Sequence, residues 1–183
     1  MELDEALEGR RSIRNYLPKE VPLKLVKQVI KAATLAPSAK NGQQWRFTVL
    51  AGKTKKEFTD FFMRELEKTS KKIGRENMGS SFSSCGIMEQ APVLIMVWNA
   101  GERGWETEIQ SVAAAIQNIL LKAYSIGLGT LWIGDVFYAQ DALEHYFDKH
   151  WKLTAAVALG WPAETPPPRP RKTIDEVAEF LVG

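Results

Sequence analysis

With 183 residues, 45% of them hydrophobic, the chain is long enough for one sizeable core and short for two, so residues 1–183 are expected to form a single domain. Its 24 Lys and Arg against 22 Asp and Glu leave a formal charge of +2, too even for nucleic acid or an anionic membrane to be held by bulk electrostatics. The lone Cys85 excludes an intramolecular disulfide and offers no metal-ligand spacing, which fits a reducing, cytoplasmic setting.

The acidic start Met1-Glu2-Leu3-Asp4-Glu5 lacks the basic and apolar regions of a secretory leader, and no apolar run approaches the roughly 18 residues of a membrane span. Leu3 to Gly9 predicts a short helix closed by a glycine free to adopt positive φ. A basic segment, Arg10 to Leu17, follows and ends at Pro18. Behind Pro22, suited to a first helical position, Leu23, Val26, Val29, Ile30 and Ala33 recur at helical spacing, and that helix stops before Pro37. Trp45 to Ala51 is β-branched and aromatic and predicts the first strand; Lys53 to Ile73 predicts a long charged amphipathic helix. Gly74 to Gly86, rich in Gly, Ser and Asn without periodicity, predicts a mobile loop or lid.

Pro92 to Trp98 is the clearest strand. Glu106 to Ile126 carries Ile109, Val112, Ala113, Ile116, Ile119, Leu120 and Ala123 at 3.6-residue spacing, a helix apolar enough to be buried on most sides and to supply an interface around Ile116. Gly127-Leu128-Gly129 stops it; Thr130 to Ile133, a short helix from Asp141 to Phe147, and a strand from Thr154 to Leu159 follow. Four prolines between Thr165 and Pro170 favour an extended arm, and Thr173 with Glu176 three residues later predicts a capped final helix to Leu181. Strands interleaved with helices give an α/β or α+β class with a central sheet flanked by helices.

Three separated segments offer the groups that a planar, phosphorylated cofactor needs. Arg10-Arg11-Ser12-Ile13-Arg14 places three guanidinium groups and a hydroxyl within five residues, and such donors match phosphate oxygens through charge-assisted bonds. Ala36 to Trp45, with Asn41, Gln43 and Gln44, supplies amides that both donate and accept, complementing a heterocycle with alternating carbonyl and N–H groups. Pro166-Pro167-Pro168-Arg169-Pro170-Arg171-Lys172 stiffens the chain and delivers cations at its end. Each alone is an ordinary solvated turn or tail.

Together, Arg-Arg-Ser-Ile-Arg at 10–14, Ala-Pro-Ser-x-x-Asn-x-Gln-x-Trp at 36–45 and Gly-Trp-Pro-Ala-Glu at 160–164 resemble the nitroreductase family in residues, order and spacing, from about Leu3 to the C-terminus. The resemblance implies an α+β fold with a mainly antiparallel central sheet flanked by helices, an intertwined homodimer, and FMN as cofactor. It implies that Arg10, Arg11, Ser12 and Arg14 surround the FMN phosphate and ribityl chain, closed by Arg171 and less directly by Arg169. Asn41 would lie beside the isoalloxazine and Gln43 near its pyrimidine edge or the ribityl chain, while Pro37, Ser38 and Ala39 would reach in from the second subunit. Trp132, Ile133 and Gly134 would pack their backbone behind the ring. Gln44, where proline is frequent in the family, and Ile133, where some members carry an acid, depart from the pattern.

The implied activity is hydride transfer from NADH or NADPH to nitroaromatic, quinone or related small acceptors in alternating half-reactions, with no dedicated acid–base residue. A reductive dehalogenase, a biosynthetic flavin dehydrogenase and a non-catalytic flavin binder would share the same contacts. Gly127-x-Gly129 follows a helix and opens a strand, the reverse of a dinucleotide fingerprint. Asp141 with His145 and His150 lacks further ligands for a metal site, and the Lys68 to Arg75 patch is interrupted by Glu65, Glu67 and Glu76, which disfavours nucleic acid.

Overall fold

The computed structural model describes residues 1–182. Helices α1 (Leu3–Gly9) and α2 (Leu23–Ala33) precede strand β1 (Trp45–Ala51), then come α3 (Gly52–Ile73), α4 (Ser81–Gln90), β2 (Val93–Asn99), α5 (Glu106–Ser125), β3 (Gly129–Ile133), α6 (Gln140–Tyr146) and β4 (Lys152–Gly160). The four strands form one sheet in the order β1-β2-β4-β3, and every ladder between them is antiparallel. The class is therefore α+β.

Side chains alternate across a strand with period two, and here both faces are covered. On one face Leu94, Met96, Trp98, Ile133, Ala156 and Ala158 pack with Phe58, Phe62 and Leu66 of α3, Cys85 and Met88 of α4, and Leu143 of α6. On the other, Val93, Ile95, Val97, Ala155, Val157 and Leu159 pack with Val26 and Val29 of α2 and Val112, Ile116 and Ile119 of α5. This explains why β2 reads as an unbroken apolar run: all seven of its positions are buried. Such runs are more usual in parallel sheets, whose two faces are both covered by helices.

Four expectations need correcting. Residues 74–86 are not a loop: a short 3-10 turn (Arg75–Met78) leads into α4, which has little amphipathic pattern because Ser81 and Ser84 share its buried side with Cys85 and Met88. Tertiary packing supplies what the local pattern withholds. The final helix is absent: the capping box at Thr173 and Glu176 forms, but only a 3-10 turn (Ile174–Glu176) follows. Ile174, Val177, Phe180 and Leu181 are 66–87% exposed within the protomer, and an isolated segment this short is marginal as a helix. Gly9 does not take positive φ; a Cβ there would lie 2.1 Å from the Tyr124 hydroxyl, so glycine permits close approach of α1 to α5. Ile116 is fully buried against the sheet rather than facing outward; the exposed apolar residue of α5 is Ile109.

Cys85 is buried between α3 and α4, its thiol 3.5 Å from the Thr59 carbonyl, and burial pushes its pKa up to about 12. Among the described residues no helix is long and apolar enough to cross a membrane.

Because adjacent residues of β2 serve opposite cores, Ile95→Ala and Met96→Ala should each cost about 2–5 kcal/mol of stability. Urea titrations would show both midpoints falling at constant slope; a near-neutral effect at one position would mean that its face of the sheet is not covered.

Candidate functional site

The two ends of the chain meet beside β3. An isolated parallel bridge joins Ser12 to Thr130, with the Ile13 N–H donating to the Thr130 carbonyl at 2.9 Å. Gly129 is required there, since a Cβ would lie 2.7 Å from the Ile13 side chain. One turn later Tyr16 pairs with Pro162, supported by Leu17 N–H to the Trp161 carbonyl and Ala163 N–H to the Asn15 carbonyl, each 2.9 Å. The Tyr16 hydroxyl donates to the Ile13 carbonyl at 2.9 Å and is buried. The N-terminal basic segment is thereby laid against β3 on one side and the residues that follow β4 on the other.

Glu164 fastens this junction. It accepts from the backbone N–H of Arg14, from the backbone N–H of Asn15 at 3.0 Å and from the Asn15 side-chain amide at 2.7 Å. The Arg14 backbone bond, more than any other contact, holds the Glu164 carboxyl below the usual carboxylate value, with the Asn15 bonds adding to it.

Arg10, Arg11, Ser12 and Arg14 from the first segment and Pro166, Pro167, Arg169 and Arg171 from the last line one cavity of about 310 Å³. No carboxylate is among these residues. Burial, then the like charges of Arg171 and Arg11, lowers the Arg10 pKa, so the charged guanidinium is penalised until a counter-ion enters. Arg11 has a double role: its Nη1 donates to the Glu8 carbonyl at 2.6 Å, tying off the end of α1, while its buried Nε has no hydrogen-bond partner. A cluster of guanidinium groups with an orphaned donor and a hydroxyl has the chemistry of a phosphate site.

Arg14 also lines a second cavity of about 220 Å³ with Trp132, Ile133, Gly134 and Asp135 at the end of β3 and Ser80, Ser83 and Ser84 at the start of α4. Ile133 is buried, whereas Trp132 is 40% exposed on the other face. Asp135 accepts hydrogen bonds from Ser80 at 2.6 Å and from Ser84, clamping α4 onto the end of β3. Reading 74–86 as a loop hid these serines; three hydroxyls at 80, 83 and 84 spaced for one helical turn were the available signal.

Pro37, Ser38, Ala39, Asn41 and Gln43 line neither cavity of their own protomer. They form a turn with a short 3-10 segment (Ala39–Asn41) against α5, where the Ala39 N–H donates to Ser111 at 3.0 Å and the Gln43 N–H to Ser38 at 3.0 Å. Lys40, Asn41 and Gln43, on either side of Gly42, have positive φ, a strained backbone for residues that carry a side chain, while Gly42 itself does not.

With this geometry in view, comparisons with known proteins agree with one another. Residues 7–161 match the Nitroreductase family. The chain is 31% identical over 173 residues to a candidate NADH dehydrogenase/NAD(P)H nitroreductase of Methanothermobacter thermautotrophicus, covering 91% of this chain and 80% of that protein. It is 27% identical over 180 residues to the 5,6-dimethylbenzimidazole synthase of Rhodospirillum rubrum, covering 90% and 84%. Among solved structures, a nitroreductase with bound FMN from Bacteroides fragilis superimposes with a TM-score of 0.81 at 25% identity, covering 100% of both chains.

Glu164 generates a pH dependence with a defined sign. Its folded pKa is depressed, so its stabilisation is fully present above the ordinary carboxylate value of 4.5 and is lost as pH falls through the lower folded value. Glu164→Gln should unfold at lower urea than the natural protein at pH 7, and the gap should narrow as pH falls below 4.5 and through the lower folded value; a gap independent of pH would remove the charge from the junction's stability.

Proposed function

The chain belongs to the nitroreductase family, and from that premise we propose that it is an FMN-dependent oxidoreductase that takes a hydride from NADH or NADPH and passes electrons to nitroaromatic, quinone or related electron-poor acceptors. The observation that carries this reading is the convergence of Arg10 and Arg171, from opposite ends of the chain, on one carboxylate-free cavity. The residues fit the cofactor: the orphaned Arg11 Nε and the surrounding guanidinium groups suit its phosphate, and Arg14 connects that cavity to the one at Trp132–Gly134.

Arg10, Arg11, Ser12, Arg169 and Arg171 would hold the phosphate, Arg14 the path toward the ring, and the backbone of Trp132, Ile133 and Gly134 one side of the ring. Bound there, FMN supplies hydride acceptance and electron delivery. The protein's own work is to bind, orient and leave one ring face open so that donor and acceptor occupy it in turn, with protons drawn from solvent. Since Pro37, Ser38, Ala39, Asn41 and Gln43 line neither cavity of their own protomer, their role is assigned to a homodimer in which this turn reaches the second copy's ring. We place the dimer in the cytoplasm.

The full-length similarity to a 5,6-dimethylbenzimidazole synthase favours, as second reading, a biosynthetic enzyme that uses the same cofactor site. Anaerobic absorbance spectra separate the two. Bleaching of a flavin band on adding NADH or NADPH, and its return with a nitroaromatic or quinone, is the expected result; a flavin that neither nucleotide reduces would exclude the proposed activity.

Arg171→Ala removes a charge-assisted phosphate contact from an exposed arm and should weaken FMN retention by about 1.5–3 kcal/mol without lowering the thermal stability of the flavin-free protein, where it relieves like-charge repulsion on Arg10. Ultrafiltration of the purified variant, with released flavin measured by fluorescence, checks it; retention equal to that of the natural protein would remove the arm from the site.

A further inference from the structure

Among the described residues Asp135 is the one carboxylate lining either of the two cavities that Arg14 joins, and hydroxyls rather than a cation hold it there. Its Oδ2 accepts from the Ser80 hydroxyl at 2.6 Å and from the Ser84 hydroxyl. The half-buried charge therefore stands at the N-terminus of α4, while Gly134 joins it directly to the end of β3. Arg14 lines the same cavity, yet among the described residues neither Arg14 nor Asp135 is in an ion pair.

Fastening α4 does not by itself call for a charge. The Tyr138 hydroxyl donates to the Asn77 carbonyl at 3.1 Å, the Thr69 hydroxyl donates to the Tyr138 carbonyl at 3.1 Å, and Cys85 and Met88 are buried in the core. The start of α4 is thus tied to α3 and to the turn after β3 without Asp135. A neutral amide oxygen would accept the same two serine hydroxyls, and partly burying a carboxylate costs more than placing an amide there. The charge is additional to what packing needs, and the cavity it lines is the one proposed to hold the ring.

We infer that Asp135 is a fixed charge that sets the reduction potential of the bound FMN, held in place by Ser80 and Ser84. The role rests on the proposed function for the place of the ring beside Trp132–Gly134. A hydride carries two electrons and one proton, so the ring system gains one negative charge on accepting it. A carboxylate held nearby disfavours that gain, and Arg14, with the opposite charge, favours it. Asp135 thereby lowers the potential and makes the reduced cofactor a stronger donor to electron-poor acceptors. Ser80 and Ser84 are positioning residues that keep the carboxylate against the end of β3.

The test is an equilibrium titration of the FMN-loaded protein with dithionite against a reference dye, which reads the midpoint potential without any nicotinamide. Asp135→Asn should bind reduced FMN, relative to oxidised FMN, about tenfold more tightly than the natural protein does, which for a two-electron couple is a midpoint about 30 mV more positive. Asp135→Glu should stay near the natural value, and Ser80→Ala/Ser84→Ala, which keeps the charge, should not raise it. Asp135→Ser is the second charge-removing variant, should the amide fail to hold FMN, and shifts the same way. A midpoint unchanged by removal of the charge overturns the role. So does an equal rise in Asp135→Glu or in the serine pair, which would assign the effect to the placement of α4. A midpoint that follows Asp135, in a protein whose flavin neither NADH nor NADPH reduces, upholds the charge and overturns the donor. A protein that takes up no FMN overturns the proposed function and the role of Asp135 with it.

Discussion

Everything at the candidate site depends on holding like charges together. Guanidinium groups from residues 10–14 and 169–171 repel one another, and burial adds to the cost of Arg10's charge. What opposes that repulsion is backbone pairing: the Ser12–Thr130 and Tyr16–Pro162 bridges, with Glu164 bound to the Arg14–Asn15 turn. Individual hydrogen bonds of this kind contribute on the order of 0.5–1.5 kcal/mol, so several are needed to fix a cavity that only an anion can relax.

The sheet explains where such a cavity could form. Central strands β2 and β4 are covered on both faces and have no surface to offer, whereas β3 is an edge strand with one free side. The N-terminal segment occupies part of that side, and the end of β3 opens toward α4. The candidate site is thereby placed on irregular chain braced by a rigid platform, the usual division of labour between scaffold and loops.

Much of this was legible in the sequence, for identifiable reasons. Strands such as 93–99 and helices such as α2 and α5 declare themselves because their apolar positions follow the period of the element that buries them. The basic segment at 10–14 and the proline–arginine arm at 166–171, which line one cavity, were legible together because guanidinium and proline chemistry point the same way regardless of distance along the chain, whereas the amide turn at 36–45 lines neither cavity of its own protomer. Helix α4 was not legible, because its buried side carries serines whose partner, Asp135, is remote in sequence. The end of the chain failed in the opposite sense: the local capping signal at Thr173 is obeyed, but within one protomer no surface receives Ile174, Val177 or Phe180.

The buried Cys85 has a practical corollary for anyone who follows this molecule in solution. A thiol with its pKa raised to about 12 and sealed in the seam between two helices is inert to alkylating or oxidising agents in the closed state. Its modification requires α3 and α4 to part, so the rate at which a maleimide or disulfide reagent consumes this single sulfur counts openings of that seam. Nature has left in the chain a one-atom clock for the breathing of the helix that forms a wall of the Arg14–Asp135 cavity.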